Sequence, residues 1–386
     1  MKGRAVVAGA LAQKRTFGGH AWVFLNWLLG LRRLGWDVLF LDSHGPDMYT
    51  NATEERANLD YVRTVMEMFG LDGAWSVLDR QTGMSVAGLG RDEVSRRMRS
   101  ADLLFNFSGY LQDEQLLSAV PIRVFVDVDP GFWQMWCDLG LHDAFAGHDR
   151  FVTVGTRIGR PGCIVPTCGR EWIPTLPPVV LDQWPVQIAT RDAITSIGSW
   201  RGPFAPIEYQ GRVYGLRAHE FRKFANLPEL TAAEFELGLD ISAGDARDIE
   251  LLSSSGWRLI DPTSVAGDPM SYRDYLAASK AELMVAKNMY VETRSGWFSD
   301  RSACYLASGK PVVAQETGLE AAVPTGDGLL LFRTSAEAAD CVAEMAANYL
   351  RQTRAARAIA EAAFDSDLVL QAVIDHVHAR APVASA

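Results

Sequence analysis

Residues 294–318 combine basic side chains with a helix start in a way that suits a bound anion. Their sequence, RSGWFSDRSACYLASGKPVVAQETG, predicts a polar loop, a short helix over 300–307, a Gly-Lys-Pro turn and a strand. The free backbone N–H groups near Ser302 and the positive end of the helix dipole would attract negative charge. Arg294 and Arg301 lie beside this helix start. The segment predicts a phosphate or diphosphate site, and an ordinary αβ unit with a solvated polar face is the alternative.

A histidine follows the first predicted strand, which spans residues 4–8. Gly18 and Gly19 permit a tight turn with exposed backbone amides, and His20 opens the next predicted helix. Histidine changes charge near neutral pH, and a helix start favours its neutral form, which can accept a proton. We therefore predict that His20 is a general base. The alternative is a histidine that only hydrogen-bonds to the backbone at the start of the helix.

Two carboxylates end a later strand of the same half of the chain. Asp127 and Asp129 lie on one face of that strand, because alternate strand residues share a face. A carboxylate that fixes the tautomer of a catalytic histidine makes it a better base. We predict that one of the two aspartates supports His20. The alternative is that the pair caps the helix that follows Pro130.

Lys287 is a candidate because of its place in the second half of the chain. It follows a predicted strand over 281–286, and open αβ sheets bind ligands at the carboxyl ends of their parallel strands. Without a metal ion, fixed cations must neutralise a bound phosphate or diphosphate. Arg201, in the loop after another predicted strand, is a second such cation.

Strand and helix patterns alternate along the chain. Short apolar runs such as 4–8, 103–107 and 123–128 alternate with helical segments, an order typical of a parallel sheet covered by helices on both faces. The Pro-rich stretch 159–184 interrupts this order and is predicted to be a linker. The alternation resumes at residue 193.

The length of 386 residues also favours two domains, since one core seldom serves so long a chain. We predict an α/β fold of two Rossmann-like domains with a C-terminal helical tail. The predicted first domain spans residues 1–185 with the linker at its end, and the second spans 186–366. Residues 367–386 are predicted to form a closing helix and tail.

The run ASGKPVVA over 307–314 carries a family signal. It resembles the donor-binding segment of GT-B glycosyltransferases, and the second half is similar to the C-terminal domain of the bacterial group 1 and group 4 enzymes. The resemblance implies two Rossmann-like domains that face a cleft, with the closing helix packed back on the first. It also implies that the second domain binds a UDP-, GDP- or dTDP-linked sugar and that an unidentified acceptor enters through the first.

The resemblance assigns roles to residues at the ends of two predicted strands. Ser199 and Arg201 resemble the opening of the GT-B second domain, where a basic residue meets the diphosphate. Gln315 and Glu316 follow the strand of the ASGKP segment, where similar polar residues of the family contact sugar hydroxyls. These four residues are therefore predicted to bind the donor.

One position departs from the family pattern. Many GT-B enzymes hold the ribose with a glutamate where this chain has Cys304, so the nearest carboxylate, Asp300, is predicted to take that role. In the family a glycine pair and a histidine also face the cleft after the first strand, as Gly18, Gly19 and His20 would here. The glycine pair is accordingly predicted to lie at the donor.

The two aspartates after residue 126 have a further interpretation. In the other large glycosyltransferase fold, GT-A, an Asp-x-Asp motif binds a divalent metal that holds the donor diphosphate. The two αβ halves and the donor-like segment favour GT-B instead. We therefore predict no required metal and no cofactor apart from the nucleotide sugar as co-substrate.

The composition bounds the environment and the partners. A formal net charge of −10, from 37 basic and 47 acidic residues, argues against nucleic-acid binding. Five cysteines without paired spacing indicate neither a disulfide framework nor a zinc site. The first 20 residues lack a signal-peptide pattern, and no apolar run reaches the roughly 20 residues of a membrane span. We expect a cytoplasmic protein, with a homodimer left open.

The combined prediction is a metal-independent glycosyltransferase that moves a sugar from a nucleoside-diphosphate sugar to an acceptor, with His20 as base. Inversion and retention both stay open, and His20 with Asp129 leans to inversion. A nucleotide-sugar epimerase of the same fold and a non-catalytic nucleotide-sugar-binding protein are the alternatives. A dinucleotide oxidoreductase is disfavoured because the turn after the first strand lacks G-x-G-x-x-G.

Overall fold

A computed structural model describes residues 2–379 of the chain. Within this range the chain folds into two parallel α/β bodies. The strands of the first body are β1 (Arg4–Ala8), β2 (Asp37–His44), β3 (Trp75–Asp79), β4 (Ser85–Gly88), β5 (Leu103–Phe107), β6 (Ile122–Asp127), β7 (Arg150–Thr153) and β8 (Trp172–Pro174). Its helices are α1 (Gly18–Arg33), α2 (Ala52–Met68), α3 (Arg91–Arg99), α4 (Glu114–Ser118) and α5 (Phe132–Asp138).

The first sheet has the strand order β4-β3-β2-β1-β5-β6-β7-β8. Its strand pairs are parallel except β3 with β4, which form an antiparallel edge. The inner strands are almost wholly buried, as expected for a sheet covered on both faces. The sequence patterns missed β3 and β4, and the predicted linker over 159–184 contains β8, which pairs with β7.

The second body begins after β8. Its strands are β9 (Ala193–Ser199), β10 (Ile207–Tyr209), β11 (Arg212–Tyr214), β12 (Glu234–Asp240), β13 (Arg258–Ile260), β14 (Ala281–Met284), β15 (Val312–Gln315) and β16 (Leu329–Phe332). The helices that follow β9 are α6 (Arg217–Phe221), α7 (Ala246–Ser254), α8 (Pro262–Ala266), α9 (Pro269–Ala278), α10 (Asn288–Thr293), α11 (Asp300–Ala307), α12 (Ser335–Ala347), α13 (Tyr349–Ile359) and α14 (Ser366–Ala379).

The second sheet is parallel, with the order β13-β12-β9-β14-β15-β16. An antiparallel hairpin, β10–β11, is inserted between β9 and α6. Short 3-10 turns and one π-helical turn complete the connections, at Ala12–Lys14, Pro46–Met48, Leu181–Gln183, Arg222–Phe224, Leu227–Glu229, Ala243–Asp245, Leu319–Ala321 and, as the π turn, Ala360–Phe364.

The last described helix, α14, returns to the first body and lies against α1. Arg33 Nε donates to Asp367 Oδ1 at 3.0 Å, and a methyl group at Gly30 would lie 2.5 Å from Leu370 Cδ1. The predicted closing segment thus corresponds to α14, while residues 380–386 lie outside the described range. No helix within residues 2–379 has the length and apolar character needed to cross a membrane.

Asp268 fixes the helix that faces the start of α1. Its carboxylate accepts from the backbone N–H groups of Met270 and Ser271 at 2.8 and 3.1 Å, and Pro269 occupies the first helical position of α9. Trp22 of α1 then donates its Nε1–H to the Pro269 carbonyl at 2.8 Å. The first turn of α9 is therefore a contact surface between the two bodies.

The carboxyl edges of the two sheets face each other. Asp129, just after β6, is hydrogen-bonded by Lys287 and Tyr290, which follow β14. Beyond β7, Thr156 donates its hydroxyl to the Gly296 carbonyl at 3.0 Å. Loops that carry candidate site residues from both bodies thus meet in one cleft.

Candidate active site

His20 lies in the first turn of α1, beyond the carboxyl end of β1. Its Nε2 is 2.6 Å from the Ala10 carbonyl oxygen. Because a carbonyl only accepts, Nε2 carries the proton and Nδ1 keeps a free lone pair. Burial of the ring lowers the pKa of His20 to about 4; the Ala10 bond and Asp129 oppose this shift, and Lys14 adds to it. The imidazole is therefore neutral at neutral pH, with one nitrogen able to take a proton.

The lowered pKa of His20 predicts activity that persists into acid. His20 is mostly neutral above about pH 4. The fall of kcat in acid that is caused by protonation of His20 should therefore be centred near pH 4 and not near 6.5, the ordinary pKa of histidine. The unfolded chain binds this proton more readily, so the contribution of His20 to stability is complete above about pH 6.5 and is lost as the pH falls toward 4. A pH–rate profile checks this. A limb near 6.5 that vanishes in His20→Gln would contradict it.

Among the described contacts, neither aspartate of the predicted pair hydrogen-bonds to His20. Asp127 is buried at the end of β6, where it accepts from Thr153 Oγ1 and Gln134 Nε2, both at 2.7 Å. Burial raises the pKa of Asp127 to about 7 against these two bonds. These bonds fasten α5 and β7 to the end of β6. Among the described contacts neither aspartate accepts from a backbone N–H of α5, so the capping alternative is not seen there. The Ala10 carbonyl, and not a carboxylate, orients His20.

Asp129 accepts instead from two side chains of the second body. Lys287 Nζ and Tyr290 OH both donate to its Oδ1. The predicted donor-binding Lys287 is therefore engaged by a carboxylate of the opposite body. No group of three or more His, Cys, Asp or Glu residues in the described part of the chain is arranged to hold a metal ion.

The glycine pair packs against α9 and does not form an open turn. A methyl group on Gly18 would lie 2.1 Å from the Asp268 backbone oxygen, and one on Gly19 would lie 2.7 Å from Cε2 of Tyr272. Both glycines belong to α1 and lie outside the left-handed region. The pair permits the close approach of α1 and α9. Its role at the donor stays a prediction.

Gly18→Ala should destabilise the protein by about 1–3 kcal/mol, because the added methyl group meets backbone atoms that cannot rotate away. Thermal unfolding measures the loss. Gly90→Ala is the control, since a methyl group there meets nothing within 4 Å and the backbone φ of −66° suits alanine. Equal melting temperatures for the two variants would show that α1 and α9 can separate at little cost.

Two arginines converge at the end of β9, on the cleft side of the second sheet. Arg301 Nε donates to Glu282 Oε1 at 2.5 Å, and its Nη1 donates to the Ile197 carbonyl at 2.9 Å. Arg217, the first residue of α6, donates from Nη2 to Ser196 Oγ at 2.8 Å. Arg301 was expected at an anion site, whereas Arg217 was missed even though it opens the first helix after β9.

Gly198 makes room for the guanidinium group of Arg217. A methyl group there would lie 2.4 Å from Nη1 of Arg217 and 3.6 Å from Nη1 of Arg301. Burial, reinforced by Arg301, lowers the pKa of Arg217 to about 9 against the opposing effect of Glu282. Within the described residues, Arg217 Nε has no hydrogen-bond partner. Glu282 pairs with Arg301, whereas Arg217 forms no salt bridge among the described residues. A bound dianion would balance the surplus positive charge.

The predicted donor residues after β9 have partners elsewhere in the loop. Arg201 donates from Nε to Asp245 at 3.0 Å and is half-exposed. Ser199 Oγ donates to Asp240 Oδ2 at 3.0 Å. Arg201 therefore forms a surface ion pair, and Arg217 is the arginine that lies near Gly198 with Arg301.

Arg294 and Glu316 pair with each other, Nη1 to Oε1 at 3.0 Å. Arg294 also donates to Glu320 at 3.1 Å, and Arg333 donates to the second oxygen of Glu316. Burial would raise the pKa of Glu316, but its bonds to Arg333 and Arg294 outweigh this and lower it. Both predicted contacts are thus engaged in a local ion-pair network.

Gln315 is buried and fully hydrogen-bonded. Its Oε1 accepts from the Ala286 backbone N–H at 3.1 Å, and its Nε2 donates to Glu220 Oε2 at 2.7 Å. Glu220, also buried, accepts from Asn288 Nδ2 at 2.6 Å. Gln315 thus links the end of β15 to α6 and to the backbone after β14. Its contact with a sugar stays a prediction.

The start of α11 contributes Asp300 to the cleft. This carboxylate is the first residue of the helix, and burial raises its pKa while Arg301 opposes the shift. The charge of Asp129 raises it further. Ser302 is wholly buried and its Oγ has no partner in the described part of the chain.

No protein-family model matches this sequence, and a search of curated proteins found no significant match. Solved structures match nearly all of it. Anabaena Alr3699/HepE in complex with UDP-glucose is 12% identical with a TM-score of 0.58, over 98% of this chain and 100% of that one. An alpha-glucosyltransferase in complex with UDP and a 13-mer DNA is 11% identical with a TM-score of 0.59 over the same shares.

A third match is sucrose-phosphate synthase from Thermosynechococcus elongatus, at 13% identity and a TM-score of 0.53 over 98% of this chain and 100% of that one. These matches confirm the predicted architecture. The chain has the GT-B fold, with two Rossmann-like domains and C-terminal helices. At such identities the likeness concerns the fold alone.

Proposed function

We propose that this protein is a glycosyltransferase that moves a sugar from a nucleoside-diphosphate sugar to an acceptor hydroxyl. The observation that carries the proposal is the surplus positive charge of Arg217 and Arg301 at the carboxyl end of β9, across the cleft from a neutral histidine. The GT-B fold supports it, and the matching structures with UDP or UDP-glucose make UDP the first nucleotide to try.

The geometry supports a division of labour between the two bodies. The donor diphosphate lies against Arg217 and Arg301, whose charge stabilises the leaving nucleoside diphosphate. Nδ1 of His20 takes the proton of the acceptor hydroxyl as its oxygen bonds to the anomeric carbon. The bond from that carbon to the diphosphate breaks, and its electron pair leaves with the nucleotide. Inversion and retention stay open.

Two fixed guanidinium groups can supply the charge that a divalent metal gives in other enzymes. We therefore propose that the transfer needs no metal. Asp127, the other half of the Asp-x-Asp motif, is buried and hydrogen-bonded, which supports this part of the proposal.

Thermal unfolding with UDP, GDP, dTDP and ADP, followed by transfer assays with the matching labelled sugars, tests the function. One nucleotide should raise the melting temperature well above the others, and transfer should continue in EDTA. Equal shifts for all four would indicate a nonspecific charged site. Complete loss in EDTA restored by Mn²⁺ would contradict metal independence, and epimerisation of the sugar without acceptor would favour the epimerase.

A further inference from the structure

Asp129 joins the two bodies in the cleft that contains His20. Its Oδ1 accepts from Lys287 Nζ and from Tyr290 OH. Asp129 belongs to the loop after β6, and its two donors belong to the start of α10. We call these three residues the clasp. Every hydrogen bond within it crosses the boundary between the bodies.

Aromatic rings from both bodies enclose the Lys287 ammonium. Its Nζ lies 5.3 Å from the ring centroid of Phe132, 5.1 Å from that of Phe204 and 5.3 Å from that of Tyr290. Phe132 of the first body stacks on Phe204 of the second, with ring centroids 4.4 Å apart. The lysine is thus held by cation–π contacts as well as by its carboxylate, in a setting drier than that of a surface pair.

The second body fixes the clasp to the anion site. Asn288, next to Lys287, donates to Glu220 at 2.6 Å and accepts from the Gly215 N–H at 2.7 Å. Glu220 lies on α6, three residues after Arg217. The short helix that presents Arg217 therefore also holds the residues that grip Asp129.

We propose that Asp129 is a positioning residue. The clasp sets the distance between His20 in one body and the bound donor in the other, and Lys287 acts through Asp129 without touching the diphosphate. The inference rests on the proposed function for its catalytic consequence. The clasp itself is a property of the two bodies and can be measured without turnover.

A double-mutant cycle of Asp129→Asn and Lys287→Met separates this role from direct donor binding. Each single variant should lower kcat by about 10-fold, since a small misplacement of reacting groups is costly. Affinity for UDP should change by less than about 2-fold. The double variant should be no worse than either single one. A lysine on the diphosphate would instead weaken UDP binding further in the Asp129→Asn background, and that result would overturn the proposal.

Arg123 and Asp149 provide a matched control. Their side chains are 28% and 23% exposed, close to the 19% and 25% of Lys287 and Asp129, but both lie in the first body. Arg123→Met and Asp149→Asn should leave kcat unchanged once folding is verified. Tyr290→Phe removes one hydroxyl from the clasp and should give a smaller loss of kcat, and Lys287→Arg should recover part of the rate.

Small-angle X-ray scattering gives a readout that needs no activity. Asp129→Asn and Lys287→Met should each increase the radius of gyration of the free protein, whereas Asp149→Asn should not. If the radius of gyration increases in the clasp variants but the wild-type protein transfers no sugar, the clasp is supported and the proposed function is contradicted. Wild-type scattering and wild-type kcat in Asp129→Asn would refute the clasp and leave the function standing.

Discussion

Replacing His20 by alanine is expected to lower kcat by about 10²–10⁴-fold, the usual contribution of general-base catalysis. The Ala10 carbonyl holds the ring with Nδ1 unprotonated, and burial keeps it neutral. Affinity for the nucleotide should remain nearly unchanged, because the arginines that would hold the diphosphate belong to the other body. Initial rates and calorimetric nucleotide binding measure the two effects separately.

His142→Ala is the control for this experiment. His142 is an exposed histidine of the first body, in the loop after α5. Its replacement should leave both kcat and nucleotide affinity unchanged. If His20→Ala turns over at close to the wild-type rate, the base lies elsewhere or the reaction retains configuration without one. Asp300, the partly buried carboxylate at the start of α11, would then be the next residue to replace.

The architecture could be predicted because it depends on patterns that are local in sequence. Apolar runs separated by amphipathic helices are visible one segment at a time, and they require parallel sheets. β4 and β8 escaped notice for a related reason. β4 is an edge strand with alternating exposure, and β8 is three residues long within a proline-rich stretch. Such strands depend on their neighbours more than on their own apolar content.

The site was less predictable because it depends on which side chain finds which partner. The sequence placed Arg201 correctly after β9, but Asp245 holds it at the surface. The β10–β11 hairpin then returns the chain so that Arg217 lies beside Gly198. A pattern can indicate the loop after a strand, whereas the partner of a long basic side chain follows from contacts distant in sequence.

The Gly-Lys-Pro turn, which belongs to the motif that resembles the GT-B family, has a structural role in this protein. The turn precedes β15, at the edge of the second sheet opposite to the cleft. Lys310 is buried there and donates to the Gln187 carbonyl at 2.7 Å, which ties the connection between the bodies to the second one. Burial lowers the pKa of Lys310 to about 8. The Gly-Lys-Pro motif thus indicates the fold. The candidate site residues lie at the opposite, carboxyl ends of the strands of the second sheet.

Arg217→Met should weaken binding of the nucleoside diphosphate by about 1.5–3 kcal/mol, the cost of losing a charge-assisted hydrogen bond. The free protein should be at least as stable as the wild type. Arg217 is buried beside another arginine, its Nε has no partner among the described residues, and burial depresses its pKa. Replacing such a group by an apolar side chain of similar length removes an uncompensated charge.

Arg217→Met is expected to weaken nucleotide binding without lowering the stability of the free protein, and this combination distinguishes a binding role from a structural one. Replacing a residue that is needed only for folding would lower both the stability of the protein and its affinity for the nucleotide. Replacing a residue that serves only to bind an anion would lower the affinity alone. Arg201→Met is the matched control, because it removes an arginine from the loop after β9 whose charge Asp245 already balances. Calorimetry and thermal unfolding of both variants decide between the roles. If Arg217→Met binds UDP as tightly as the wild type, the surplus charge at Gly198 does not hold the diphosphate, and the donor site must be sought along the start of α11.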